Sequence, residues 1–330
     1  MDGALVGRSF ATISKADLPS LLVQRVARLR SKSLDQGLLS AWIGSDHFVR
    51  HIDLVKTHTA IPHISPRDIR EFVLAAPKNP DEQHAIAEAL GDVDALLAGL
   101  DRLIAKKRDL KQAAMQQLLT GQTRLKGFHA EWGRATFGEL FTFKNGLNKA
   151  KHFFGFGTPI VNYMDVFSNG KILCTRLTGR VSLSKQELSN FDVRRGDVLF
   201  TRTSETPEEV GMASVVGDEP NETVFSGFLL RGRPRSGVLC DEFKAYCFRS
   251  SFVRSQIVSK ASYTTRALTN GRLLSGVVLP VPPLAEQSAI AAALSDMDAE
   301  ILGLETRRDK TQALKQAMMQ ELLTGRIRLI

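Results

Sequence analysis

The stretch EQHAIAEALGDVDALLAGLDRLIAKKRDLKQAAMQQLLTGQTRL, residues 82–125, occurs a second time as residues 286–329. Displacing the sequence by 204 positions aligns the two copies without a gap, and roughly 25 of the 44 positions are identical. The shared positions include the opening Glu-Gln and the closing Leu-Leu-Thr-Gly. Biased composition does not produce such agreement, so the chain contains an internal duplication.

Each copy predicts one long helix. Apolar residues alternate at spacings of four and three, which keeps them on one side of a helix and is typical of a coiled coil. Proline precedes each copy, and Gly121 or Gly325 stands where a C-terminal cap belongs. About 40 residues of helix would span about 60 Å. We expect the copies to pack as an antiparallel coiled coil with this seam: Ile86, Leu90, Val93, Leu97, Leu100, Ile290, Leu294, Met297, Ile301 and Leu304. The alternative is that each helix packs only on its own globular neighbour.

Length and composition favour a chain of two or more domains in the cytoplasm. The chain has 330 residues, and 43% of them are hydrophobic. No apolar run is long enough to cross a bilayer, and residues 1–20 lack the apolar core of a signal peptide. Three cysteines argue against a disulfide framework and form no pair with metal-binding spacing.

The net charge of +9 is unevenly distributed. Residues 1–75 carry +3 and residues 126–280 carry +7, whereas residues 76–125 are neutral and residues 281–330 carry −1. The two helices therefore lack the positive charge that the regions between them carry. This partition suits globular domains that contact phosphate and helical spacers that do not.

The segments that precede the two helices follow the same order of predicted elements. In the first, strands are predicted over 4–13 and 21–29, a helix over 34–49, a loop over 59–67 and a strand over 69–76. In the second, the corresponding segments are 211–216, 223–232, 241–253, 263–266 and 274–280. The agreement is one of pattern and not of identity. It indicates that a globular unit was duplicated together with its helix.

Residues 126–210 have no counterpart in the first segment. Strands are predicted there over 139–144 and 160–166, and another follows the turn at Gly196-Asp197. We therefore predict an α+β chain of four parts: a carboxyl half-domain over 1–76, a helix over 77–125, a complete domain over 126–280 and a second helix over 281–330.

The doubled pattern of proline, EQ, IAxxL, DxD and KQxxMQxLLTGxxRL resembles the DNA-specificity (S) subunit of type I restriction-modification systems. The resemblance covers nearly the whole chain. It implies mixed α/β target-recognition domains that each read half of a bipartite site, spaced by an antiparallel coiled coil. It also implies methyltransferase (M) and restriction (R) subunits as partners. The first recognition domain departs from the pattern because its amino half is absent, and pairing with another copy is one route to completing it.

Three polar loops of the complete domain are candidates for DNA contact. Arginine can bond guanine through two parallel hydrogen bonds, asparagine suits adenine, and hydroxyls reach base edges or phosphates. The candidate residues are Lys144, Asn145, Asn148, Lys149, Arg202, Thr203, Ser204, Tyr263, Thr264, Thr265 and Arg266. Solvated basic loops are the competing interpretation. On the helices, Lys106, Lys107, Arg108 and Lys310 are candidates for contact with the methyltransferase.

No catalytic set is recognisable, so we expect neither enzymatic activity nor a cofactor nor a metal site. The glycines near Phe154 lack the accompanying motif of a methyltransferase, and there is no phosphate-binding loop for ATP. The chain is predicted to bind double-stranded DNA and to direct N6-adenine methylation by a partner. The alternative is a degenerate or regulatory subunit that binds the methyltransferase without reading DNA.

Overall fold

A computed structural model describes residues 2–3, 5–168, 170–263 and 265–329. The chain divides into two compact units. Unit 1 comprises Met1–Lys106 and Ile301–Ile330, and unit 2 comprises Lys107–Glu300. Each unit contains helices, and the mixture of helix and sheet confirms the predicted α+β class.

The helices and strands are as follows. The α-helices are α1 (Gln36–Ile43), α2 (Asp46–Val55), α3 (Pro66–Arg70), α4 (Pro80–Leu118), α5 (Phe137–Leu140), α6 (Tyr163–Phe167), α7 (Lys185–Asn190), α8 (Asp241–Cys247), α9 (Ser251–Lys260), α10 (Gly271–Ser275) and α11 (Leu284–Leu323). The strands are β1 (Gly133–Thr136), β2 (Phe141–Asn145), β3 (Phe154–Val161), β4 (Lys171–Ile172), β5 (Arg180–Val181), β6 (Val198–Thr201), β7 (Thr203–Ser204), β8 (Ala213–Val216), β9 (Val224–Phe225), β10 (Leu229–Pro234), β11 (Ser262–Tyr263), β12 (Ala267–Leu268) and β13 (Val278–Val281). Four single turns of 3₁₀-helix lie at Lys15–Asp17, Lys151–Phe153, Cys174–Arg176 and Pro207–Glu209.

The duplicated stretches form the two long helices, α4 with 39 residues and α11 with 40. Pro80 is the first residue of α4, where a missing N–H has no helical acceptor to lose. Gly121 and Gly325 follow the two helices with φ values of +75° and +72°. An L-residue with a side chain rarely adopts this backbone, so these glycines stop both helices where the sequence predicts.

In unit 1 the start of α4 lies against the end of α11. Ile86 and Leu90 share an apolar cluster with Leu322 and Leu323, together with Leu38 and Trp42 of α1. Arg328 donates two hydrogen bonds to the Glu82 carboxylate at 2.5 and 2.6 Å, and these bonds hold the pKa of Glu82 below its usual range. Because opposite ends meet, the helices run antiparallel in this unit.

Unit 2 repeats the arrangement with the copies exchanged. Ile290 and Leu294 of α11 share a cluster with Met115 and Leu118 near the end of α4. Arg124 donates hydrogen bonds at 2.5 and 2.6 Å to Glu286, which is fully buried. Displacement by 204 positions converts this ion pair into the Arg328–Glu82 pair of unit 1. It also converts the Lys111–Asp298 pair of unit 2 into the Lys315–Asp94 pair of unit 1.

The predicted seam is largely buried in both units. Its residues Ile86, Leu90, Leu97, Leu100, Ile290, Leu294 and Ile301 are at most 8% exposed, and Val93, Met297 and Leu304 are half-buried. The antiparallel packing of the two copies is therefore confirmed. The helix ends also pack on globular residues, so neighbour packing adds to the pairing and does not replace it.

The globular part of unit 2 is built on a five-stranded sheet in the order β2-β10-β6-β8-β4, antiparallel except between β8 and β4. One face packs on α5, α8 and the ends of the long helices through an aromatic core that includes Phe137, Phe200 and Phe248. The other face is covered by a second cluster around Leu199 and Phe225. Smaller sheets, β5-β3-β9 and β11-β12-β7, adjoin this framework.

Three strands predicted in this unit differ in their bounds from the observed ones, because capping residues place part of each predicted segment in a helix. Thr136 and Glu139 form a capping box that starts α5, so β2 begins only at Phe141. Asn162 and Asp165 do the same for α6, which ends β3 at Val161. The predicted strand over 274–280 begins within α10 and reaches β13 only at Val278.

Unit 1 contradicts the sequence-based strand predictions. No strand forms among its described residues, and the single bridge between Asp2 and His63 is isolated. The predictions over 4–13, 21–29 and 69–76 are therefore wrong. A segment with alternating apolar residues forms a strand only when neighbouring strands can pair with it. The described residues of unit 1 contain no equivalents of β2, β4 and β6. As a result Leu21 is 97% exposed, whereas Val224 and Phe225 of β9 are fully buried.

The helical part of unit 1 is close to prediction. The helix expected over 34–49 is divided into α1 and α2 at Gly44 and Ser45. Ser45 starts a new helix at this point, because its hydroxyl accepts the Phe48 N–H as the N-cap of α2.

Candidate nucleic-acid interface

Two of the predicted polar loops lie together in one small sheet of unit 2. Strand β7, which contains Thr203 and Ser204, pairs with β12, and β12 pairs with β11, which contains Tyr263. Arg202 is the residue between β6 and β7, and its carbonyl accepts the Thr269 N–H at 2.9 Å. The hairpin between β11 and β12 is therefore held beside the Arg202 segment, although about 60 residues separate them in sequence.

The hairpin displays most of its predicted contact residues to solvent. Tyr263 is 59% exposed, and Thr265 and Arg266 are exposed. The Arg266 guanidinium donates a hydrogen bond to Glu205 at 3.3 Å, but both side chains remain largely in water, so the pair restrains Arg266 weakly. Thr264 lies outside the described residues.

The third predicted loop lies at the same end of the strands of the five-stranded sheet as Arg202. Asn145, the last residue of β2, pairs with Leu230 of β10, and Leu229 of β10 pairs with Thr201 of β6. Strands β2 and β6 are thus neighbours of the same strand. The Leu147 N–H donates to the Phe225 carbonyl at 2.9 Å, which places the exposed Asn148 directly after this anchor.

Two of the loops bond directly to the turn Ser226–Leu229 between β9 and β10, and the hairpin is connected to it through the Arg202 segment. Sequence reasoning did not single out this turn. The Leu229 N–H closes the turn on the Ser226 carbonyl at 2.9 Å. On one side the Gly227 N–H donates to the Leu147 carbonyl at 2.8 Å, and on the other the Arg202 N–H donates to the Phe228 carbonyl at 2.9 Å. The Ser-Gly pair between two strongly apolar runs is a turn signal that could have pointed to this segment.

Gly227 leaves room at this junction for the Asn148 side chain in its present position. A Cβ atom there would lie 1.9 Å from Oδ1 of Asn148, far inside van der Waals contact. The Arg202 guanidinium donates to the Gly227 carbonyl at 3.5 Å. Asn148 and Arg202 therefore lie on either side of the same turn, and both approach it through its glycine. We call Asn145, Asn148, Arg202, Phe228 and Tyr263 the loop-edge surface.

The structure gives Lys149 and Lys144 internal partners. The Lys149 ammonium donates to Glu187 at 2.8 Å and to the Ser182 carbonyl at 2.9 Å. The hydrogen bond from Lys149, followed by that from the Ser184 backbone, lowers the pKa of Glu187 to about 2. Lys144 lies 5.5 Å from the centre of the Phe191 ring. Both lysines fix the loop in place, so we leave them out of the loop-edge surface.

Several other cations of unit 2 serve its interior. Arg231 and Arg233 bond Asp192, and Arg233 also bonds Asp197. Arg254 donates to three backbone carbonyls, and burial lowers its pKa to about 10. The net charge of residues 126–280 therefore includes arginines that are bonded inside the unit and cannot reach phosphate. The loops are better candidates for contact with DNA than the net charge suggests for the unit as a whole.

The helix candidates for partner contact differ from one another. Lys106 and Lys310 are exposed, as is Arg108. Lys107 lies 2.6 Å from Glu300 and is half-buried. Among the described residues, no three or more His, Cys, Asp or Glu side chains are grouped to hold a metal ion.

Residues 130–316 match the family described as the Type I restriction modification DNA specificity domain. This match covers more than half of the chain. The chain belongs to this family. The prediction of a non-catalytic specificity chain agrees with that membership.

Curated relatives carry the same designation. The chain is 25% identical over 188 residues to the putative type I restriction enzyme MjaX specificity subunit of Methanocaldococcus jannaschii, covering 56% of this chain and 43% of that relative. It is 21% identical over 280 residues to the MjaVIII specificity subunit of the same organism, covering 82% and 65%. The chain thus spans between two fifths and two thirds of the length of these relatives.

A solved structure shares the fold of this specificity-domain protein. It comes from work on complex assembly and conformational transition of the type I R-M system, and it aligns with a TM-score of 0.60 at 18% identity. The alignment covers 91% of this chain and 73% of that one. Among the described residues, no helix is both long enough and apolar enough to cross a membrane.

Proposed function

We propose that this chain is the recognition subunit of a type I restriction-modification complex, and that unit 2 reads one part of a double-stranded DNA target in the cytoplasm. The subunit would direct a partner N6-adenine methyltransferase, and restriction subunits, to that site. The observation that carries the proposal is that two polar loops, one with Asn148 and one with Arg202, are hydrogen-bonded to the Ser226–Leu229 turn, while the hairpin with Tyr263 pairs with the strand that follows Arg202. This arrangement brings polar side chains from three separate segments to one end of the sheet.

The chemistry of the loop-edge surface suits base reading. Arg202 offers parallel N–H donors that match the two acceptors of guanine in the major groove. Asn148 offers both a donor and an acceptor, which suits adenine. Their backbones are fixed by the strands and by the turn, so little side-chain and loop ordering is left to be lost on binding.

Selection from a random duplex library tests the proposal. The full chain, mixed with its methyltransferase subunit, should enrich one short run of specified bases. Replacing Arg202 by alanine should relax the preference at one position of that run. The matched control is Arg176→Ala, which removes an equally charged, exposed arginine that follows β4 at the opposite edge of the sheet. An unselected library, or equal effects of both variants, contradicts the proposal.

A degenerate or regulatory specificity subunit is the second candidate. The observation that favours it is the absence of any strand among the described residues of unit 1. Such a chain would bind the methyltransferase, with Lys106, Lys107, Arg108 and Lys310 as candidate contacts, and would compete with a functional subunit. Removing residues 1–75 distinguishes the two candidate functions. A subunit that recognises DNA through unit 2 should keep its sequence preference, whereas a degenerate subunit should show no sequence preference before or after the deletion.

Self-association is a further part of the proposal for unit 1. The apolar side chains of residues 5–29 could be covered by a second copy. In this proposal, pairing with another copy is the route by which the first recognition domain is completed. Sedimentation of the chain at increasing concentration tests for the pairing.

A further inference from the structure

Phe228 is a large apolar side chain exposed to solvent between buried neighbours, and burial of apolar surface does not account for its position. It follows the fully buried Phe225 by three residues and precedes the fully buried Leu229, yet its own side chain is 62% exposed. A large aromatic side chain left in water forgoes the stabilisation that burial would give. Phe228 lies at the centre of the loop-edge surface, between the segments that position Asn148 and Arg202.

The backbone around Phe228 is held from several directions. The turn is closed by the Leu229 N–H, the Gly227 N–H donates to the Leu147 carbonyl, and the Phe228 carbonyl accepts the Arg202 N–H. The Phe228 N–H is directed toward Oγ of Ser226 at 3.4 Å. Strands β9 and β10 on either side are buried. The phenyl ring is therefore presented to solvent on a rigid turn, with little backbone freedom left to lose on binding.

A rigid, exposed phenyl ring between an arginine and an asparagine has a physical use on DNA. Apolar side chains inserted between base pairs unstack them and kink the duplex, and the energy is recovered through the contacts that the kink allows. The side chain that enters must not fold back on the protein surface. The turn meets this requirement, because its backbone is bound to the neighbouring loops on both sides.

We propose that Phe228 acts as an apolar wedge that enters the DNA target between two adjacent base pairs, while Asn148 and Arg202 contact the bases beside the opened step. The inference rests on the proposed function and names the residue that deforms the DNA. It also predicts that the selected sequence contains a flexible pyrimidine–purine step, since such steps unstack at the lowest energy.

Permanganate oxidation of unstacked thymines tests the wedge on a duplex taken from the library selection. With the full chain and its methyltransferase, one thymine at the opened step should become several-fold more reactive than in free DNA. This thymine is distinct from the one paired with the methylated adenine, which a methyltransferase exposes by flipping its target base. Phe228→Ala should return it to the level of free DNA and weaken binding about tenfold, which corresponds to about one stacked aromatic contact. Phe228→Leu, which keeps an apolar side chain of similar reach, should retain part of the reactivity.

Phe252→Ala is the matched control, since Phe252 is an exposed phenylalanine of α9 in the same unit and outside the loop-edge surface. It should leave reactivity and affinity unchanged. Thermal unfolding of all variants shows whether they fold. Raised thymine reactivity that persists in a folded Phe228→Ala, or no raised reactivity with the unaltered chain, overturns the wedge while leaving DNA reading intact. Failure of the library to yield any selected duplex overturns the proposed function itself.

Discussion

Units 1 and 2 contain the same helical frame, but among the residues that the structure describes only those of unit 2 form a sheet. Helices α1 and α8 are preceded by the N-cap residues Asp35 and Cys240. The N–H group of each donates at 2.9 Å to the side chain of a glutamine near the start of a long helix, Gln83 or Gln287. Helices α2 and α9 are both 10 residues long and are capped by Ser45 and Ser250. A displacement of 204 or 205 positions relates each of these pairs.

The correspondence extends to the residues that should form strands. Gly7 and Gly211 both have positive φ, and a Cβ at either would collide with an isoleucine, Ile52 of α2 or Ile257 of α9. After Gly211 the chain continues into β8, whereas after Gly7 it forms no strand. The short helices of unit 1 therefore pack without depending on a sheet among its described residues, whereas in unit 2 residues 133–204 supply the strands β2, β4 and β6 that pair with β8 and β10.

Hydrogen exchange should show the largest contrast between the units. Amides of β10 are paired on both sides and buried, so we expect them to exchange at least a thousandfold more slowly than an unstructured amide. Amides of residues 21–29 should exchange close to the unstructured rate. Mass spectrometry of peptides from the intact chain measures both. Strong protection over 21–29 would mean that these residues do pair, and the contrast between the units would fail.

The equivalent leucines Leu294 and Leu90 test whether the two ends of the helix pair are equally important. Both are at most 2% exposed. Truncation of either to alanine should lower the free energy of unfolding by about 2–5 kcal/mol. Leu294→Ala should lie at the upper end, because the cluster of unit 2 is larger and can close the cavity less easily. Denaturant titration measures both losses. If either substitution lowered the free energy of unfolding by less than a typical surface substitution does, the buried seam would not stabilise the helix pair as described.

Arginines in the two units should differ in their effect on DNA. Arg202→Ala is expected to weaken binding to the selected duplex by about 1–3 kcal/mol, as for loss of one good base contact. Arg28→Ala, in the unit without a sheet, should change affinity by less than about 0.5 kcal/mol. Fluorescence anisotropy at fixed salt measures the two. A larger loss with Arg28→Ala would assign the reading to unit 1.

The smallest expected effect concerns Lys149, the neighbour of Asn148. Because the folded pKa of Glu187 is lowered to about 2 from 4.5, this group stabilises the fold above about pH 4.5, and the contribution is lost as the pH falls through about 2. Lys149→Ala should raise that pKa and flatten the acid side of the stability curve. NMR titration of Glu187 measures it. An unchanged pKa would free Lys149 for DNA contact.

The sequence was sufficient to predict the long helices and their ends, because proline, glycine and apolar spacing act locally. It was sufficient to predict their packing as well, because both copies carry the same apolar seam. It also predicted polar loops at Arg202 and Tyr263, which the structure places side by side, and their contact with DNA stays a prediction. It was misleading for residues 21–29. Alternating apolar and polar residues show which side of a strand would be buried, but they do not show whether a neighbouring strand is present to pair with it. It could not show the exposure of Phe228, because the turn that contains this residue is held by hydrogen bonds to Leu147 and Arg202, which are distant in sequence.

Mapping N6-methyladenine across the DNA of cells with and without this chain tests the central claim most directly. If unit 2 reads DNA for a partner methyltransferase, a methylated motif should be present with the chain and absent without it. Arg202→Ala should change the bases specified within that motif. A methylation pattern that is identical in the presence and absence of the chain would contradict the account.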